Sequence, residues 1–157
     1  MLLGDLYKNK YSLIKKLMSG VIYMCKVGDI IVVNNYVGDD GKRIGKHSFI
    51  VINDEEGQIM GLDYNLVAIV MSSFKSQEQK KKKLKYKGNI ELPLDVMDKE
   101  NLKKDSYVKA DKVFYFDKEK LDYFVLATIN DEFMDELIKI ILKLAMEGKL
   151  EQIINNL

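Results

Sequence analysis

Residues 28–52 read GDIIVVNNYVGDDGKRIGKHSFIVI, two apolar runs on either side of a glycine-rich centre. Ile30, Ile31, Val32 and Val33 make an unbroken β-branched stretch, the composition of a buried strand. Residues 48–52 repeat that character with Phe49, Ile50, Val51 and Ile52. Between them, Gly38, Asp39, Asp40, Gly41 and Gly45 predict a mobile loop over 36–45.

The same logic extends outward. Residues 54–57 (Asp-Glu-Glu-Gly) predict a hairpin turn with a returning strand at 59–62. Residues 67–71 (VAIVM) predict an apolar strand that ends at Ser72-Ser73, and residues 89–92 resume extended structure before Pro93. Residues 106–116 alternate imperfectly, as a strand does when a bulge interrupts it near Asp111. The period then changes. Phe133, Met134, Leu137, Ile138, Ile141, Leu144 and Ala145 trace one helical face, with Asn130 or Thr128 as N-cap and Gly148 as stop. Leu150, Ile153, Ile154 and Leu157 continue that spacing and predict a final helical turn or two. Upstream, Leu6, Ile14, Leu17 and Met18 among lysines predict a short amphipathic helix over 5–19, closed by Gly20.

Short strands followed by a strong helix predict an α+β fold, a small antiparallel β-barrel with a C-terminal helix packed across it. No βαβ alternation supports a dinucleotide-binding sheet. We read one domain over 1–157: a helical extension at 1–25, a barrel at 26–128 and helices at 129–157.

Composition narrows the chemistry. At 157 residues, with 47% hydrophobic and 31% charged residues, the chain has the balance of one soluble domain. Such a domain buries roughly two-thirds of its unfolded surface, so its core does not depend on a metal or disulfide. One cysteine (Cys25) and one histidine (His47) cannot build an internal disulfide or a Cys/His zinc cluster. The net charge of +1 conceals a basic segment, Lys75, Lys80, Lys81, Lys82, Lys83, Lys85 and Lys87 against Glu78 alone. No apolar run approaches the ~18 residues of a membrane span. Residues 17–25 (LMSGVIYMC) lack a small-residue cleavage pattern, which argues for a cytoplasmic protein with a reduced, buried Cys25.

No phosphate-binding loop, nucleophile elbow or zinc-protease motif occurs. Polar groups do gather at strand ends, where scaffolds present function: Lys46-His47, Ser72-Ser73-Phe74-Lys75 and Asp63-Tyr64-Asn65. Each group also has an ordinary structural use as turn or surface. Their order carries more. Gly28-Asp29-Ile30, the glycine loop, Gly45-Lys46-His47-Ser48, Ser72-Ser73, residues 105–111 (DSYVKAD), residues 117–121 (DKEKL) and the terminal helix together resemble the MazF/PemK-like endoribonuclease toxins of bacterial toxin–antitoxin systems. The resemblance covers about four-fifths of the chain. His47-Ser48 stands where that family has Arg-Pro, and Ser72-Ser73 where it has Thr-Ser. The Ser-Ser-Phe-Lys step and the lysine run look most like the type III branch of ToxN and CptN, whose antitoxin is an RNA.

The resemblance implies an SH3-like barrel and RNA cleavage to a 2′,3′-cyclic phosphate and a 5′-hydroxyl, with no metal or cofactor. Such chemistry must deprotonate a 2′-hydroxyl, neutralise the phosphorane and protonate the leaving oxygen. His47 has the side chain that titrates near neutrality. Lys46 and Lys75 supply charge, and Ser72 and Ser73 supply hydrogen bonds to the phosphate. Lys80, Lys81, Lys82, Lys83, Lys85 and Lys87, with Tyr86, Lys42, Arg43 and Asp63, are expected to hold RNA. Tyr36 and Tyr64 are expected to stack on bases. The expected partners are target mRNA and a repeat-derived RNA antitoxin, in a cyclic assembly or a homodimer, with no membrane contact. The alternatives are a protein antitoxin, a non-catalytic RNA-binding barrel, or a gyrase-poisoning toxin of the CcdB kind.

Overall fold

The β-branched run becomes β1 (Asp29–Val37), which pairs antiparallel with β2 (Arg43–Asn53). A computed structural model describes residues 25–54, 66–93 and 105–154. Five further strands join the sheet: β3 (Leu66–Ser73), β4 (Asn89–Leu92), β5 (Ser106–Phe116), β6 (Tyr123–Thr128) and β7 (Glu151–Ile153). The spatial order is β4-β5-β3-β2-β1-β6 with antiparallel neighbours, while β7 lies parallel to β5. Helices α1 (Gln77–Lys83) and α2 (Asp131–Met146) complete the described elements. The architecture is α+β. The helix expected over 5–19, the strand at 59–62 and all but Asp54 of the turn at 54–57 lie outside the described residues.

β3 is central because both of its faces are apolar. Val67, Ile69 and Met71 enter one core, and Leu66, Ala68 and Val70 enter the other. On the first face Met134, Leu137, Ile141 and Leu144 of α2 bury against Ile30, Ile50, Ile69 and Val108. α2 begins where the sequence predicts: Asn130 accepts a hydrogen bond from the Phe133 N–H at 2.9 Å. Asp131 and Glu132 in its first turn complement the helix dipole.

The second face is concave. Tyr36 of β1 and Phe116 of β5 are separated by two strands, about 14 Å across a flat sheet. Their rings nevertheless stand 6.2 Å apart, with Phe49 edge-on to both and Phe114 edge-on to Tyr36 but stacked on Phe116. The sheet therefore curls over this aromatic cluster. It curls without closing, since no ladder joins β6 to β4 among the described residues, so the expected barrel is an open, rolled sheet. The bulge expected near Asp111 is present: Met71 pairs with Val108 but Ile69 with Val113.

Two expectations need correction. The 36–45 segment is not a mobile loop, because β1 runs to Val37 and β2 starts at Arg43. Gly38 N–H bonds the Lys42 carbonyl at 2.8 Å, and Lys112 pairs with Asp39 to pin the hairpin tip. The turn at 150–157 is not helical over its described part. Gly148, at φ +67, reverses the chain, and residues 151–153 add to the edge of β5 so that Ile153 reaches the aromatic core. The lysine segment is ordered as α1. Ser76 caps it by accepting from Gln79 N–H at 3.1 Å, and the Gln79 side chain accepts from Lys75 N–H at 2.6 Å.

Candidate active site

Strand alternation sorts the candidate residues between two faces. His47 pairs with Val33 and shares the concave face with Phe49, whose ring lies 6.3 Å from the imidazole. β2 meets β3 with Phe49 opposite Val70. That is the last pair of this ladder, and continuing its register by two residues puts Ser72 beside His47 on the same face. The imidazole also donates a hydrogen bond to the backbone carbonyl of Met71, the residue before Ser72. Ser72 pairs with Tyr107 of β5, and Tyr107 pairs with Glu91 of β4. One lateral row thus crosses the sheet through Val33, His47, Ser72, Tyr107 and Glu91.

Burial pushes the His47 pKa below its ordinary 6.5, and the nearby Lys109 ammonium pushes the same way against the Met71 bond. The ring is neutral at pH 7. With one nitrogen donating to Met71, the other carries a lone pair that can take a proton. Lys109 belongs to the irregular stretch of β5, opposite Asn89, and its field reaches both His47 and Asp39. Sequence reading had not selected Lys109 or Tyr107. Their separation by two residues in a strand-forming stretch was the available signal, since it puts both side chains on one face.

Lys46 and Ser73 do not join this row. Lys46 is next to His47 in β2 and so projects from the opposite face, where its Nζ lies 5.2 Å from the Phe124 ring centroid. Ser73 pairs with Ser106 and projects from the face opposite Ser72. Lys75 follows the end of β3, exposed, with no ion pair among the described residues.

The RNA-contact candidates divide as sharply. Tyr36 is 2% exposed and belongs to the aromatic core, with burial pushing its phenol up to about 12, so it offers no ring to a base. The cause is Asn35 at φ +58, which breaks the alternation of β1 and turns the next side chain inward. Lys42 and Arg43 are exposed at the hairpin, where Arg43 donates to the Asn35 backbone and side-chain oxygens at 3.4 Å. Lys81, Lys82, Lys85 and Lys87 are exposed, Lys83 is half-buried and Tyr86 is 68% exposed. Lys80 is held by Glu91 and Asp105. Asp63 and Tyr64 lie outside the described residues. Cys25 is buried, and burial raises its thiol pKa, so it is a poor nucleophile. No helix among the described residues is long and apolar enough to cross a membrane.

No curated protein matches the chain. Among protein families, the model described as PemK-like, MazF-like toxin of type II toxin-antitoxin system matches residues 26–144, from the residue after Cys25 to near the end of α2.

Proposed function

This chain belongs to the PemK-like, MazF-like toxin family, and from that premise we propose that it is an endoribonuclease that cuts single-stranded RNA without a metal. The reaction is transesterification. The His47 imidazole takes the 2′-hydroxyl proton, the 2′-oxygen bonds to the adjacent phosphorus, and the bond to the 5′-oxygen breaks. The leaving oxygen takes a proton, leaving a 2′,3′-cyclic phosphate and a 5′-hydroxyl. Ser72 donates to a non-bridging phosphate oxygen, and Lys109 and Lys75 offset its charge. Lys46 and Ser73, facing away, take no part.

The observation that carries this reading is the neutral, half-buried imidazole on the strand beside Ser72, bonded to Met71. The test is cleavage of single-stranded RNA in EDTA, with the ends of the fragments identified chemically. Cyclic phosphate from wild type and its loss in His47→Ala support the reading. Tight RNA binding without any cleavage sinks it and leaves a binding module. Inhibition of gyrase supercoiling, with RNA intact, would return the chain to the CcdB kind of toxin.

The exposed lysines of α1 and the 84–87 turn, flanking Tyr86, supply a grip for single-stranded RNA beyond the cut site. On the same basis we infer a cytoplasmic toxin whose antitoxin is a repeat-derived RNA of the ToxN/CptN kind, held in a cyclic assembly or by a homodimer. The family description names type II systems, which favours a protein antitoxin as the second reading. Purifying the toxin with its neighbouring locus separates the two: loss of neutralisation on ribonuclease treatment supports an RNA, and loss on protease treatment of the partner supports a protein. The mass of the purified complex fixes its stoichiometry.

A further inference from the structure

Within the lysine run one side chain is built into the sheet. Lys80 Nζ stands 2.5 Å from Glu91 Oε1 on β4, 3.5 Å from Asp105 Oδ2 before β5, and 5.6 Å from the Phe74 ring centroid. Phe74 follows β3, and its N–H donates to the Asp105 carbonyl at 3.0 Å. Its ring stacks on Tyr107 at 4.7 Å and 25°, and Tyr107 is the β5 partner of Ser72. Lys81, Lys82, Lys83, Lys85 and Lys87 make no salt bridge among the described residues. An ammonium already shared between two carboxylates has little left to offer a phosphate, whereas a cation seated on a stacked ring pair holds that pair in place.

We propose that Lys80 is a positioning residue and no part of the RNA grip: it clamps α1 to the end of β4 and the start of β5 and, through Phe74 and Tyr107, fixes the strand end that presents Ser72 and Lys75. The proposal rests on the nuclease reading for its kinetic consequence and on the contacts alone for its mechanical one. A lysine run that reads as uniform charge is thereby divided into one anchor and several free cations.

The test compares Lys80→Met, which keeps the stem and removes the charge, with Lys80→Arg, Glu91→Gln and, as a free-cation control, Lys82→Met. Cleavage is followed against RNA concentration, RNA affinity against salt, and amide exchange over residues 74–84. Lys80→Met and Glu91→Gln are expected to lower kcat by roughly tenfold or more, the scale of a small misplacement remote from the chemistry. KM and the salt slope should stay within about twofold of wild type, exchange should quicken over 74–84, and Lys80→Arg should keep at least about half of kcat. Lys82→Met should do the reverse, lowering the salt slope by about 0.7 and weakening RNA affinity without quickening exchange over 74–84. A Lys80→Met enzyme that loses affinity and salt slope as Lys82→Met does, or one unchanged in every measurement, overturns the proposal. If the wild type leaves RNA intact, the nuclease reading falls by itself. Quickened exchange with unaltered RNA affinity in Lys80→Met then still supports the anchor, and unaltered exchange overturns it.

Discussion

The concave row and the lysine helix sit at the two ends of one short segment, Ser72 to Lys83, yet they are built on opposite principles. Around His47 and Ser72 the sheet supplies the Phe49 ring, a hydrogen bond to Met71 and the field of the Lys109 ammonium. Along α1 and the turn after it, Lys81, Lys82, Lys85 and Lys87 stand open to water. Burial is what makes an imidazole a base at neutral pH, and exposure is what lets a lysine trade counterions for phosphates. On the proposed reading, a molecule that both cuts and holds a polyanion gains by keeping these environments separate. Chemistry and grip should then respond to different substitutions and different solution variables.

The strongest attempt to break that division is truncation of the row. His47→Ala and Ser72→Ala should each lower cleavage by at least about 100-fold, read as kcat/KM on a defined single-stranded substrate, with RNA affinity within a few-fold of wild type. Equal losses of affinity and rate would mean that the two regions are one. Next in size, replacing Lys81, Lys82, Lys85 and Lys87 together by Gln should weaken RNA binding by roughly 10- to 1000-fold at physiological salt and flatten its salt dependence. Single-turnover cleavage at saturating RNA should barely change.

The pH dependence sharpens the comparison further. A His47 pKa below 6.5 places the acidic limb of kcat/KM below that value, because the basic form persists until the folded-state pKa is passed. Lys109→Met removes one of the two influences that lower it, so the limb should move upward toward 6.5 even as the rate falls. The same displacement bears on stability. Below the unfolded pKa near 6.5 the unfolded chain binds the proton more readily, so stability present above 6.5 is lost as pH falls through the folded value. His47→Gln should abolish that segment of the stability profile, measured by denaturant titration at several pH values. The smallest effects belong to residues that alternation turns away. Lys46→Met and Ser73→Ala should each leave cleavage within about twofold of wild type, and a larger loss from either would contradict the assignment of faces.

Much of the scaffold was legible because its signals are local. Residues 67–71, apolar at every position, had to be a strand covered on both sides, and Asn130 with Gly148 marked out α2 before any contact was known. Tertiary choices were not legible. Leu150, Ile153 and Ile154 fit a helical period, but the free edge of β5 beside residues 112–114 makes a strand of 151–153. Residues 123–128, within the expected barrel, carry no local signal that assigns them an element, and they form β6 because β1 needs a partner on its outer side. At the site, starting the second strand at 48 made Lys46 and His47 look like neighbours in a loop. Strand structure begins at Arg43, so adjacency in the chain becomes opposition across the sheet. Tyr36 was misjudged for a related reason, since one residue of positive φ reverses the parity on which any face assignment depends.

The sheet order also sets when the site comes into being during synthesis. His47 and Ser72 are on strands that can meet as soon as both have left the ribosome, but the neighbour that carries Tyr107 and Lys109 is β5, reached only after α1 and β4. A nascent chain halted before residue 106 has imidazole and hydroxyl but no third strand beside them, and β3 still exposes an unpaired apolar edge. Contacts so far apart in sequence form late. On the proposed reading, the nuclease site stays incomplete until the ribosome has translated beyond β5.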